Sequence, residues 1–159
     1  MTTKTRDTLI EAVPDLPSIR IVREFDAPPD KVFRAWTEPE LVVRWLGPKD
    51  LEMRIDAWDV RTGGSYRYTN WRGGELVAEF YGSFHEVRTP SRLVQTFGFT
   101  AMPDAVSLET ATFDDLGGGR TRVTILSIVD TLESRDAMLA SGMETGVVEG
   151  YEKLDALLA

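Results

Sequence analysis

Between Leu51 and Asp130 the chain repeats one pattern six times: a run of alternating apolar and polar residues, then a short turn signal. Leu51, Met53, Ile55 and Ala57 alternate with Glu52, Arg54, Asp56 and Trp58. "SYRYTNW", "LVAEFYGSFHEV", "RLVQTFGFT", "AVSLETATF" and "RTRVTILSIVD" follow, separated by "RTGG", "RGGE", "RTPS", "AMPD" and "DDLGGG". A period of two sends successive side chains to opposite faces of a strand, and connections this short join only antiparallel neighbours. The stretch therefore predicts an antiparallel meander with one apolar face that something else must cover. Gly82, inside the longest run, marks a candidate bulge.

The flanks supply the cover. "SIRIVREF", residues 18–25, alternates as a further strand, and the prolines of "DAPPD" end it and open a helix. Two short helices are expected next. Val32, Phe33 and Trp36 share one face of the first. Thr37, Glu38, Pro39 and Glu40 read as a capping box for the second, whose apolar face is Leu41, Val42, Trp45 and Leu46. Gly47 and Pro48 stop it. Near the C-terminus Met143, Val147, Tyr151, Leu154 and Leu158 form one apolar stripe at helical spacing. Gly142, Gly146 and Gly150 recur beside it. An interior glycine costs a helix roughly 1 kcal/mol relative to alanine, so three in register predict a close approach, by the sheet or by a ligand beneath the helix. Residues 1–17 read as a polar N-terminal arm and residues 18–159 as a single domain.

Composition narrows the function. The 159 residues carry a formal net charge of −8, which opposes phosphate backbones and anionic lipid surfaces, so no nucleic-acid or membrane partner is expected. There is no cysteine and a single histidine, His85. Thiolate nucleophiles, Cys-based metal sites and His-pair metal sites are therefore excluded, and no cofactor is expected. No stretch approaches the roughly 20 apolar residues of a membrane span. The first residues lack the apolar core of a secretory signal, and the expected address is cytoplasmic.

The element order of strand, two short helices, meander and terminal amphipathic helix is that of the α+β helix-grip fold. In that fold a curved antiparallel sheet, here of about seven strands, wraps a long C-terminal helix. Five segments strengthen the match: "REFDAPPDKVFRAWTEPELVVRWLGP", "DVRTGGSYRY", "GSFHEVRTPSRLVQTF", "GGGRTRVTI" and "GMETGVVEGYEKLDALL". With these the sequence resembles the activator of heat-shock-protein-ninety ATPase homologue-like family, within the START/polyketide-cyclase (SRPBCC) superfamily. The family usually has Trp-Trp-Gly-Pro where this chain has Trp45-Leu46-Gly47-Pro48, so one indole is missing. The resemblance implies a ligand cavity between sheet and terminal helix, links to stress response, and leaves room for a homodimer.

Residues are assigned to that cavity by face and position. The resemblance puts Trp45 at its rim, whereas Trp36, grouped with Val32 and Phe33, reads as core. Tyr66 and Tyr68 share one strand face, as do Gln95, Phe97 and Phe99. Gln95 stands out because an amide amid apolar neighbours needs a polar partner. Met143 and Val147 would line the helix side. The expected ligand is a small hydrophobic or aromatic molecule. For an enzyme reading, Glu79 and Glu109 both sit mid-strand amid apolar neighbours, and either one facing inward would have a raised pKa. His85, with no carboxylate partner evident, reads as a surface residue. A third reading, a co-chaperone-like interaction module, requires an exposed patch.

Overall fold

The computed structural model describes residues 2–5 and 8–159. The chain forms β1 (Thr2–Thr5), β2 (Thr8–Ala12), β3 (Ser18–Phe25), α1 (Pro29–Thr37), α2 (Pro39–Val42), β4 (Glu52–Trp58), β5 (Ser65–Arg72), β6 (Glu75–Arg88), β7 (Arg92–Phe99), β8 (Met102–Gly117), β9 (Arg120–Ile128), α3 (Leu132–Ala140) and α4 (Met143–Leu158). All strands join one antiparallel sheet in the order β1-β2-β3-β9-β8-β7-β6-β5-β4. The six alternating runs thus pair in sequence order, and β3 closes against β9. Helices cover one face, in the α+β helix-grip arrangement.

Four local expectations need correction. The sheet has nine strands among the described residues, because the expected arm adds a hairpin beside β3. Residues 1, 6 and 7 of that arm lie outside the described residues. Ile10, paired with Ile21, and Thr8 are each 2% exposed, so the strand buries one face as it joins the sheet. Thr37 does not cap the second helix. It ends α1, where its hydroxyl bonds the Phe33 carbonyl, and α2 begins at Pro39 without a side-chain cap. "AMPD" does not interrupt the meander, since β8 already starts at Met102 opposite Phe99. Finally, α3 had no apolar periodicity to announce it. It is fixed by Thr131, which caps the Ser134 amide, and by Gly142 at φ 88°, which separates it from α4.

The core is densest where α1 and α2 meet the sheet and the C-terminal half of α4. Trp36 and Trp45 lie 4.5 Å apart by ring centroid, and Phe25, Phe113 and Tyr151 pack around them edge-on or tilted. Aromatic pairs in such geometries stabilise by about 0.5–1.5 kcal/mol beyond their burial. Beside this cluster Arg23 of β3, 5% exposed, makes two bonds of 2.9 and 2.6 Å to the Asp155 carboxylate of α4. Its guanidinium also lies over the Phe25 ring. A bidentate pair of this kind fixes helix orientation as well as adding energy.

The glycine stripe has a local cause. A Cβ on Gly150 would stand 3.0 Å from the Trp45 carbonyl and 3.4 Å from the Gly47 amide, while Gly146 lies against the Pro48 ring. The close approach is therefore by the Trp45–Pro48 helix stop, neither by the sheet nor by a ligand. Gly47 itself has φ 93°, a conformation glycine adopts without steric cost.

Candidate functional site

Burial along α4 changes at its middle. Gly150, Tyr151, Leu154 and Leu158 are buried, whereas Met143 and Val147, on the same stripe one or two turns earlier, are only half-buried. The α4 backbone approaches chiefly α1 and α3 rather than a strand. The inner sheet face carries Phe80, Gln95, Phe97, Phe99 and Glu109, all half-buried. That face is lined by aromatic rings: Phe80 stacks on Phe97 and Phe99 at 5.1 and 5.3 Å, and Tyr68 stacks on Tyr66 at 6.2 Å.

A polar row crosses this wall. Pairing places Phe84, Gln95, Glu109, Ser127 and Ile19 side by side on β6, β7, β8, β9 and β3. Three consecutive polar side chains thus cross the centre of the inner face. Burial drives the Glu109 carboxyl up to about 7, because a charge there loses its water. The Ser127 hydroxyl next to it pulls the value partly back. Yet the Ser127 Oγ, in a side chain 2% exposed, has no hydrogen-bond partner of good geometry. Tyr66 donates to the Thr96 carbonyl at 2.7 Å and is also bonded to the Gln95 amide. Burial raises the pKa of Tyr66, Tyr68 and Tyr151, and the Glu109 charge adds to each rise.

Gly82 makes the Tyr66 contacts geometrically possible. A Cβ there would meet the Tyr66 ring at 2.7 Å and would run into the Thr96 carbonyl. Its bareness lets Tyr66 lie across β6 and reach β7. The bulge expected at Gly82 occurs instead between Phe84 and Glu86, leaving His85 exposed.

The expected site residues divide accordingly. Tyr66, Tyr68, Gln95, Phe97 and Phe99 share the inner face, and Met143 and Val147 pack towards it from α4. Trp45 is a correction. It is 2% exposed, its indole N–H donates to the Ala35 carbonyl at 2.8 Å, and it has no surface to offer a ligand. Trp36 is half-buried and packs in the same aromatic core cluster, as its shared face with Val32 and Phe33 predicts. Leu46, where the family usually has a second indole, packs half-buried against the core. Glu79 faces outward and pairs with Arg67 at 3.1 Å. Glu109 was one of two equivalent candidates in the sequence, and cross-strand register decides between them. Ser127 and Tyr151 were not singled out, because neither stands out from its own segment.

Two surface grooves lie elsewhere. One is bounded by Arg44, Lys153, Ala156 and Leu157. The other includes Arg23, Glu24, Asp26, Arg120 and Asp155, whose charges already pair with one another. Neither contains the polar row.

The profile of activator of Hsp90 ATPase homolog 1-like proteins matches residues 26–159. The chain belongs to this family. Solved structures similar to it include a protein from Arthrobacter aurescens, 29% identical over 94% of this chain and 90% of that one, with a TM-score of 0.84. A Rhodobacter sphaeroides protein is 27% identical, over 94% and 96% of the two chains, with a TM-score of 0.83. Protein Ms6760 from Mycobacterium smegmatis, 23% identical over 100% and 98%, shares the fold at a TM-score of 0.84. No curated protein matches this chain. Among the described residues, no helix of this family member is long and apolar enough to cross a membrane.

Proposed function

We propose that this protein binds a small hydrophobic or aromatic molecule between the inner sheet face and the open half of α4. One observation carries the reading: Phe80, Phe97 and Phe99 on the inner sheet face and Met143 and Val147 on the apolar stripe of α4 stay only half-buried, as apolar walls do when a ligand and not another side chain is to cover them. Family membership is consistent with it, since helix-grip proteins of this group commonly take hydrophobic ligands. The neutral fluorophore N-phenyl-1-naphthylamine tests the reading directly. The wild type is expected to enhance its emission saturably, Phe97→Ala to weaken binding, and Val147→Trp to abolish it by filling the space. A folded wild type that leaves the emission unchanged would overturn the proposal.

Glu109 favours a second reading, a cavity enzyme of cyclase, dehydratase or hydrolase type. A carboxyl near 7 can both give and take a proton at neutral pH, and Tyr66 and Gln95 stand ready to orient a substrate. His85 and Glu79 have no part in it, since both face away. Turnover of a bound substrate that Glu109→Gln eliminates, without loss of binding, separates this reading from simple binding.

A further inference from the structure

We infer that the ligand of this cavity is a cation, a primary or secondary ammonium on an aromatic or apolar body, whose charge is met by Glu109 within the Gln95–Glu109–Ser127 row. The inference rests on the binding reading above and specifies its chemistry. Three observations lead to it.

The first is position. Glu109 is held at the middle of the sheet, with Gln95 and Ser127 as its immediate cross-strand partners and strands continuing on both sides. The second is the missing counter-charge. Ser127 is the one group that acts on Glu109 besides desolvation, and no lysine or arginine among the described residues contributes. Arg23, the cation on the same sheet face, is bound bidentately by Asp155 and acts on Tyr151 instead. The phenols of Tyr66, Tyr68 and Tyr151 feel its charge, and its cross-strand neighbours Gln95 and Ser127 are neutral. The third is spare acceptor capacity. The Ser127 hydroxyl acts on Glu109 but its buried Oγ has no hydrogen-bond partner of good geometry, and an ionised carboxylate accepts several hydrogen bonds and donates none.

A buried carboxylate without a cation is costly, and an arriving ammonium removes that cost. It would donate to Glu109 and to Ser127 Oγ while its organic body lies against Phe80 and Phe97. Aromatic rings near an ammonium add cation–π attraction. The net charge of −8 favours the approach of such a ligand from solution. No bond is made or broken. Where Glu109 is protonated beforehand, its proton leaves to solvent as the ammonium enters.

The test compares 2-(2-naphthyl)ethylammonium with its neutral isostere 2-(2-naphthyl)ethanol by titration calorimetry. At pH 8 the ammonium is expected to bind at least about tenfold more tightly, a preference of about 1.4 kcal/mol. Below pH 7 its affinity should fall towards about tenfold per pH unit as Glu109 must first lose a proton, while the alcohol's affinity stays level. Near pH 7 the ammonium should release a fraction of a proton, read from titrations in two buffers of different ionisation enthalpy. In Glu109→Gln, verified as folded by circular dichroism, the ammonium-to-alcohol ratio should fall to about one. Equal binding of both probes by the wild type overturns the inference and leaves the hydrophobic-ligand reading intact. So does an ammonium preference that survives in Glu109→Gln. Binding of neither probe overturns both.

Discussion

Replacing Glu109 by glutamine should make this protein more stable at pH 8 and leave it almost unchanged at pH 4. In the folded protein the carboxyl titrates at about 7 against an ordinary value of 4.5. Below pH 4.5 it is neutral in both folded and unfolded chains and contributes nothing. Between 4.5 and 7 the unfolded chain holds fewer protons than the folded one, so stability falls as pH rises. Above 7 both states are ionised, the slope vanishes and the full cost remains. At about 1.4 kcal/mol per pH unit, the gap from 4.5 to about 7 amounts to about 3 kcal/mol. Glutamine keeps the shape and most of the hydrogen bonding without a charge to desolvate. The difference in unfolding free energy between variant and wild type should therefore be near zero at pH 4 and rise to about 3 kcal/mol by pH 8. For a chain of this size that is a gap of roughly 6–12 °C in Tm. Urea unfolding of the ligand-free proteins, followed by tryptophan fluorescence at several pH values, measures it. Taking the difference cancels the pH response of all other groups. A gap that stays constant from pH 4 to 8, or a glutamine variant less stable at pH 8, would refute a buried, uncompensated carboxyl.

Trp45→Ala should cost about 3–5 kcal/mol by removing a fully buried indole, measured by chemical unfolding. Trp36→Phe should lose less stability by the same measurement, because Trp36 is half-buried and a ring remains in the aromatic cluster. Gly146→Ala should gain up to about 1 kcal/mol from helix propensity, since its added Cβ meets only ordinary contact with Pro48. Gly150→Ala should instead lose stability because its Cβ presses on the Trp45 carbonyl, and the opposite signs in thermal unfolding test the packing of α4. Gly82→Ala should displace Tyr66 from Thr96 and Gln95, weakening both stability and probe binding. An unaltered Tyr66 hydroxyl environment by NMR would contradict it.

Much of the fold was legible because strand periodicity survives without context. β5, β6, β7 and β9 fall within a residue or two of the alternating runs, and α4 starts at the first residue of its apolar stripe. Less of the site was legible. Gln95 could be singled out because an amide in an apolar run demands a partner wherever it lies. Glu79 and Glu109 could not be separated, since each alternates equally well and only pairing tells in from out. Glu79 pairs with Thr69 on the outer face, and Glu109 pairs with Gln95 on the inner one. The α3 helix escaped notice because none of its residues is buried, so it carries no apolar face to read.

The sequence by itself determined the meander, the terminal helix and the family, since each depends on residue spacing within one segment. Tertiary structure decided that Trp45 is sealed while Trp36 stays half-buried. It also decided what the α4 glycines touch, how Tyr66 crosses Gly82, and that Glu109 lies between Gln95 and Ser127, where burial raises its pKa. Those outcomes depend on distances between segments far apart in the chain. Cross-strand register and helix packing set those distances, and neither is written in the pattern of any single stretch.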